Sequence, residues 1–223
     1  MKQLIAKTIK KLGYRLEKDR RLSHEYARKI FRNKPIMAME IGVWEGDHAL
    51  RMLKDFNIKK LYLIDPYLDY DGFDIDGSVA RAKKIAERKL APYKHKIVWI
   101  KETSEYARKM LGAPWKGKFD YIYIDANHKY DFVKWDMDNW FPLVKKGGIF
   151  SGHDITGLEH RDVAIAYFDF CKENKIKPLI LAPDWIILKE WWFPKEINNF
   201  LWSTWKTSLN YILGEIFENA YNE

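Results

Sequence analysis

The alternation of short apolar runs with helical stretches constrains this 223-residue chain most. Apolar runs suited to buried parallel strands stand at 36–41, 60–64, 96–100, 121–124 and 148–151. Helical segments lie between them at 47–56, 78–90, 104–111 and 131–144, and another follows the fifth run at 162–173. A closing pair of strands is expected at 178–182 and 185–189. Strands that alternate with helices pair in parallel and are covered on both faces. The expected fold is therefore α/β: a Rossmann-like, doubly wound, mostly parallel seven-stranded sheet. Ligands of such sheets sit beyond the carboxyl ends of the strands, near the point where strand order reverses. The loops after Ile41, Ile64, Ile100, Ile124 and Ser151 are the places to look.

The first of these loops carries Glu40, Gly42 and Gly46 ahead of a helix. Two glycines allow a tight turn and close backbone approach to a ligand. Their Gly-x-x-x-Gly spacing, with Trp44 and Glu45 in between, is not the Gly-x-Gly-x-x-Gly that seats a pyrophosphate. A carboxylate at Glu40 suits an ammonium or sulfonium ligand better than a phosphate; a plain strand-to-helix turn is the competing reading. The second strand ends in Asp65, Pro66 and Tyr67. An acid roughly 20 residues beyond a glycine turn is placed to accept both hydroxyls of an adenosine ribose. Pro66, directly after it, argues against a helix cap. The acidic stretch 69–77 lacks calcium-loop spacing and reads as a solvated loop, with Asp76 capping the next helix.

The fourth run ends in Asp125, with His128 three residues on, and the fifth leads into His153 and Asp154. Neighbouring strand tips lie about 5 Å apart, so Asp125, His153 and Asp154 are candidates to surround one cation. Oxygen and imidazole donors without a thiolate suit Mg²⁺, Mn²⁺ or Fe²⁺, which would lower the pKa of a bound substrate hydroxyl. His128 is then the candidate general base, because imidazole titrates near neutrality. Each piece also has a structural reading, as a helix cap or a bracing histidine.

The run 119–130, with Asp125 and His128, together with Asp136, Trp140, Gly147, Gly148, Gly152, His153 and Asp154, resembles class I methyltransferases of the Methyltransf_24 type. These are similar to metal-dependent O-methyltransferases of sugars and small molecules and to cephalosporin hydroxylase-like proteins. The likeness covers about residues 35–189. It implies S-adenosylmethionine as cofactor, with Glu40, Gly42 and Gly46 in its loop, Asp65 on the ribose beside Tyr67, and Ser104 near the adenine. It also implies Asp125 beside the cofactor, Mg²⁺ or Mn²⁺ on Asp125, His153 and Asp154, and His128 as base. One position departs: metal-dependent members often carry an acid where His153 stands. That leaves His153 open as ligand, acid/base group or brace for Asp154.

Three segments are expected: an N-terminal helical extension at 1–34, the methyltransferase domain at 35–190, and a helical tail at 191–223. Lys and Arg number 39 against 31 Asp and Glu, and much of the excess lies between Lys2 and Lys34. Such an arm is either the solvated face of surface helices or a grip for nucleic acid or anionic lipid. Methylation of RNA or protein is therefore the alternative to a small-molecule or glycan acceptor, and a non-methylating relative of the fold is a third reading. Aromatic residues crowd the tail, where Ile197, Leu201, Trp205, Leu209, Ile212 and Ile216 make an apolar face. It is expected to pack on the domain or on a second subunit in a homo-oligomer. A single cysteine, Cys171, excludes an internal disulfide and a cysteine zinc cluster, and with no transmembrane run or signal sequence the expected location is the cytoplasm.

Overall fold

The computed structural model describes residues 21–68, 77–157 and 160–189. Among the described residues six α-helices, α1 (Leu22–Phe31), α2 (Asp47–Asp55), α3 (Ser78–Leu90), α4 (Ser104–Leu111), α5 (Tyr130–Trp140) and α6 (Arg161–Glu173), alternate with strands β1 (Ile36–Ile41), β2 (Ile58–Ile64), β3 (Ile97–Ile100), β4 (Phe119–Ile124) and β5 (Val144–Gly152). Strands β6 (Ile180–Leu181) and β7 (Asp184–Leu188) close the sheet. The strand order is β3-β2-β1-β4-β5-β7-β6. The first five strands are parallel, and β7 runs antiparallel to both β5 and β6.

Period-two alternation divides the strand side chains between two cores. Met39, Ile41, Tyr62, Ile64, Ile122 and Ile124 face one core, which α5 and α6 cover. Ile36, Ala38, Leu61, Leu63, Tyr121 and Tyr123 face the other, covered by α1 and α2. The helices fit because their apolar residues recur on one face. In α5 the buried set is Val133, Asp136, Met137 and Trp140, and in α6 it is Val163, Ala166, Tyr167, Phe170 and Cys171. The fifth helix stops at Trp140 rather than at 144: Phe141 is still helical, but Pro142 has no amide N–H to continue the ladder, and the chain passes into a single 3₁₀ turn, Phe141–Leu143. The fifth strand accordingly begins earlier than expected, at Val144.

Helix α1 is part of this packing. Leu22, Tyr26, Ala27 and Phe31 share a core with Ile36 and Ala38, so the described part of the 1–34 extension is continuous with the sheet domain. The rest of that extension, the acidic loop at 69–76 and the aromatic tail at 191–223 lie outside the described residues. Among the described residues no helix is long and apolar enough to cross a membrane.

The register places the carboxyl tips in one row. Ile41 pairs with Ile64 and Ile124, Ile64 with Ile100, and Ile124 with Gly152. Strand order reverses between β1 and β4, so the crevice that binds ligands in doubly wound sheets opens at those two tips.

Candidate active site

The β1 tip is built by backbone. Gly42 sits at φ +83°, and a Cβ there would come within 1.9 Å of the Asp125 carbonyl oxygen. Only glycine fits, and its space is taken by the neighbouring strand, not kept for a ligand. Gly46 is left-handed as well and begins α2 as its N-cap. Asp65 fastens the loop: its Oδ2 accepts from the amides of Val43 (2.9 Å) and Trp44 (3.0 Å), and its Oδ1 from that of Tyr67 (2.8 Å). The Tyr67 hydroxyl donates back to the Trp44 carbonyl.

Glu40 is buried beneath this loop and holds His48 Nδ1 at 2.8 Å. His48 Nε2 lies 3.2 Å from His24 Nδ1, and His24 Nε2 lies 2.9 Å from Asp55 Oδ2. Burial lowers the pKa of both imidazoles, His48 the more strongly. A string of contacts thus runs from Asp55 at the surface to Glu40 in the crevice.

The β4, β5 and β7 tips are joined by side chains. Asp125 Oδ2 is paired at 2.6 Å with Arg21, which also donates to the Tyr123 hydroxyl. Asp184, at the start of β7, is fully buried and accepts from the Ser23 amide (2.9 Å), the Ser23 hydroxyl (2.6 Å), the Tyr123 hydroxyl (3.0 Å) and His153 Nδ1 (2.6 Å). Burial is the largest single influence on His153 and lowers its pKa, but the Asp184 bond together with the charges of Asp184 and Asp125 outweighs it, and the net shift is upward. His128 Nε2 lies 2.9 Å from Asp154 Oδ2, and that contact raises the His128 pKa. Burial raises Asp154, yet His128 and His153 draw it below the usual carboxylate range. Asp154 also stands at φ +58°, a left-handed backbone that Asp tolerates better than most residues. A small cleft between these tips is lined by Asp125, Asn127, His128, His153 and Trp185.

The expected metal triad is not assembled. Asp125 is paired with Arg21, and although His153 Nε2 stands 3.8 Å from Asp154 Oδ1, the ligand atoms of Asp125, His153 and Asp154 do not converge as a group. Among the described residues the group whose ligand atoms converge is His128, Asp154 and His160. Ser104, expected near an adenine, has its hydroxyl bonded to the Asp136 carboxylate and accepts from Trp140 Nε1 (2.7 Å). Burial pushes Asp136 up to about 7. Arg21, Ser23, Asp184 and His160 were not anticipated. The one signal among them was Asp184, a carboxylate opening the apolar run Trp185 to Leu188.

Asp65 is a fixed acceptor at the β2 tip, and the carboxyl groups of Glu40 and Asp125 stand at the neighbouring tips, Asp125 already paired with Arg21. A methyltransferase-domain family matches residues 39–155. No curated protein matches the chain by sequence. A solved protein from Corynebacterium glutamicum is similar with a TM-score of 0.56 and 13% identity, over 84% of this chain and 88% of that one. CalS11, the TDP-rhamnose 3'-O-methyltransferase of calicheamicin biosynthesis, gives 0.51 and 16%, over 75% and 77%. Spermidine synthase from Thermotoga maritima gives 0.51 and 18%, over 81% and 64%. At such identities the three structures speak for the fold alone.

Proposed function

Because this chain belongs to the methyltransferase-domain family matched over more than half its length, a class that uses S-adenosylmethionine, we propose that it methylates a hydroxyl oxygen of a small molecule or glycan. The observation that carries the choice of oxygen is the Asp184–His153 pair at the acceptor cleft. A proton must leave a hydroxyl as it is methylated, and a neutral imidazole held by a buried carboxylate is suited to take it.

Bound at the β1 and β2 tips, the cofactor supplies an electrophilic methyl group on a positively charged sulfur. Asp65 accepts from the ribose hydroxyls while its loop bonds hold it in place. The acceptor hydroxyl lies in the cleft between β4 and β5. Asp184 fixes the His153 tautomer by taking its Nδ1–H, so Nε2 is the basic nitrogen. His153 takes the hydroxyl proton as the oxygen–methyl bond forms and the sulfur–methyl bond breaks, with the bonding pair left on sulfur. Asp125 is paired with Arg21, so no metal is routed through it, and the base role expected of His128 passes to His153.

The test is calorimetry with S-adenosylhomocysteine alongside an assay of S-adenosylhomocysteine formed from S-adenosylmethionine over a panel of hydroxylated sugars and phenols. His153→Ala should keep its affinity for S-adenosylhomocysteine and lose about 10²–10⁴-fold in turnover. A wild-type protein that binds neither S-adenosylmethionine nor S-adenosylhomocysteine, or a His153→Ala variant with full turnover, overturns the reading.

A further inference from the structure

Beside the cleft, but outside the proton path just described, two imidazoles and a carboxylate converge. The ligand atoms of His128, Asp154 and His160 all lie within 4.8 Å of one another, and all three residues are half-buried. The rings of His128 and His160 are 4.4 Å apart, centroid to centroid. His128 Nε2 is buried at 2.9 Å from Asp154 Oδ2, but the contact lacks the alignment of a hydrogen bond. Donor atoms in adjacent positions around a cation with bonds of about 2.1 Å sit about 3.0 Å apart, so this spacing is that of two ligands sharing an ion. The left-handed backbone at Asp154 aims a carboxylate at this corner, and unusual backbone of that kind gathers at functional sites. His160 reaches the corner as the residue that precedes α6.

We propose that His128, Asp154 and His160 bind one first-row divalent transition cation, of the Fe²⁺, Co²⁺ or Zn²⁺ kind, at the rim of the acceptor cleft. Two imidazoles favour such ions over Mg²⁺, which prefers oxygen donors. His128 is the ligand that lines the cleft, so the ion stands where an acceptor oxygen can join its shell. Coordination there lowers the pKa of the hydroxyl, and the released proton goes to His153. This role rests on the methyl-transfer reading; the binding itself does not.

Chelator-treated full-length protein is titrated with Co²⁺ and followed by its visible absorption, with Zn²⁺ and Mg²⁺ as competitors. One equivalent of Co²⁺ should bind, Zn²⁺ should displace it, and Mg²⁺ at the same concentration should not. His160→Ala should weaken Co²⁺ at least about tenfold while S-adenosylhomocysteine still binds, and His160→Gln, tested beside it with melting curves for both, should fall between. No Co²⁺ absorption in the wild type, or equal affinity in either folded His160 variant, overturns the metal site and leaves the methyltransferase reading standing. Metal-loaded protein that binds no S-adenosylmethionine overturns that reading instead.

Discussion

The two ends of the crevice are built by different means. At the β1 and β2 tips a single carboxylate, Asp65, is held by three amides of loops no more than 22 residues away along the chain. At the β4, β5 and β7 tips the charged groups are held by side chains from far off: Arg21 reaches Asp125 across 104 residues, and Ser23 reaches Asp184 across 161. A backbone-built cradle fits a ligand common to a whole family. A cradle of side chains changes one residue at a time, which suits the half that must meet a particular acceptor.

Replacing Asp184 tests the second construction most severely. Asp184→Ala leaves the donors of Ser23, Tyr123 and His153 buried without their acceptor, at a cost of about 3–5 kcal/mol. A melting temperature lower by roughly 10 °C is expected in calorimetry; an unchanged one would mean the network carries no stability. Asp65→Ala strikes the first construction: loss of a charged acceptor of hydroxyls should weaken S-adenosylhomocysteine about 10–100-fold while leaving Co²⁺ binding unaltered.

A gentler probe is pH. The base role proposed for His153 requires the unprotonated ring, and its pKa is raised, so turnover per bound acceptor should climb as pH rises through a value above about 6.5. Asp184, Asp125 and Asp154 push that value up, while burial, Arg21 and His128 pull it down. Asp184→Asn should therefore move the rising limb to lower pH, and an unmoved limb in a folded variant would assign the limb to another group. The smallest effect belongs to the surface. Lys109→Ala removes an exposed bridge to Glu105 on α4 and should leave melting and cofactor binding within error.

The contrast between the halves also explains what the sequence made readable. Strand β1 and helices α3 and α4 emerge with the bounds expected from periodicity, because each is one apolar pattern with its stop signals nearby. Glu40, Gly42, Gly46 and Asp65 could be placed together for the same reason, lying on one strand–loop–helix–strand unit, but nothing local foretold that Gly42 packs on Asp125 or that Glu40 holds His48. The partners of Asp125 and His153 were not readable. Nothing local ties Arg21 or Asp184 to them, and the alignment of four strand tips arises only from pairing in the sheet. Ser104 shows a further limit, since its hydroxyl is bonded to Asp136 and Trp140 on α5, which the helical pattern marks only as an apolar face.

The bond between Ser23 and Asp184 has a kinetic consequence. Asp184, which holds His153, gains its Ser23 donors only after segments from near both ends of the described chain have met, so that corner is among the costliest loops to close. A refolding experiment that follows cofactor binding and turnover separately should see binding return first. Recovery of turnover then reports the moment at which α1 seats against β7.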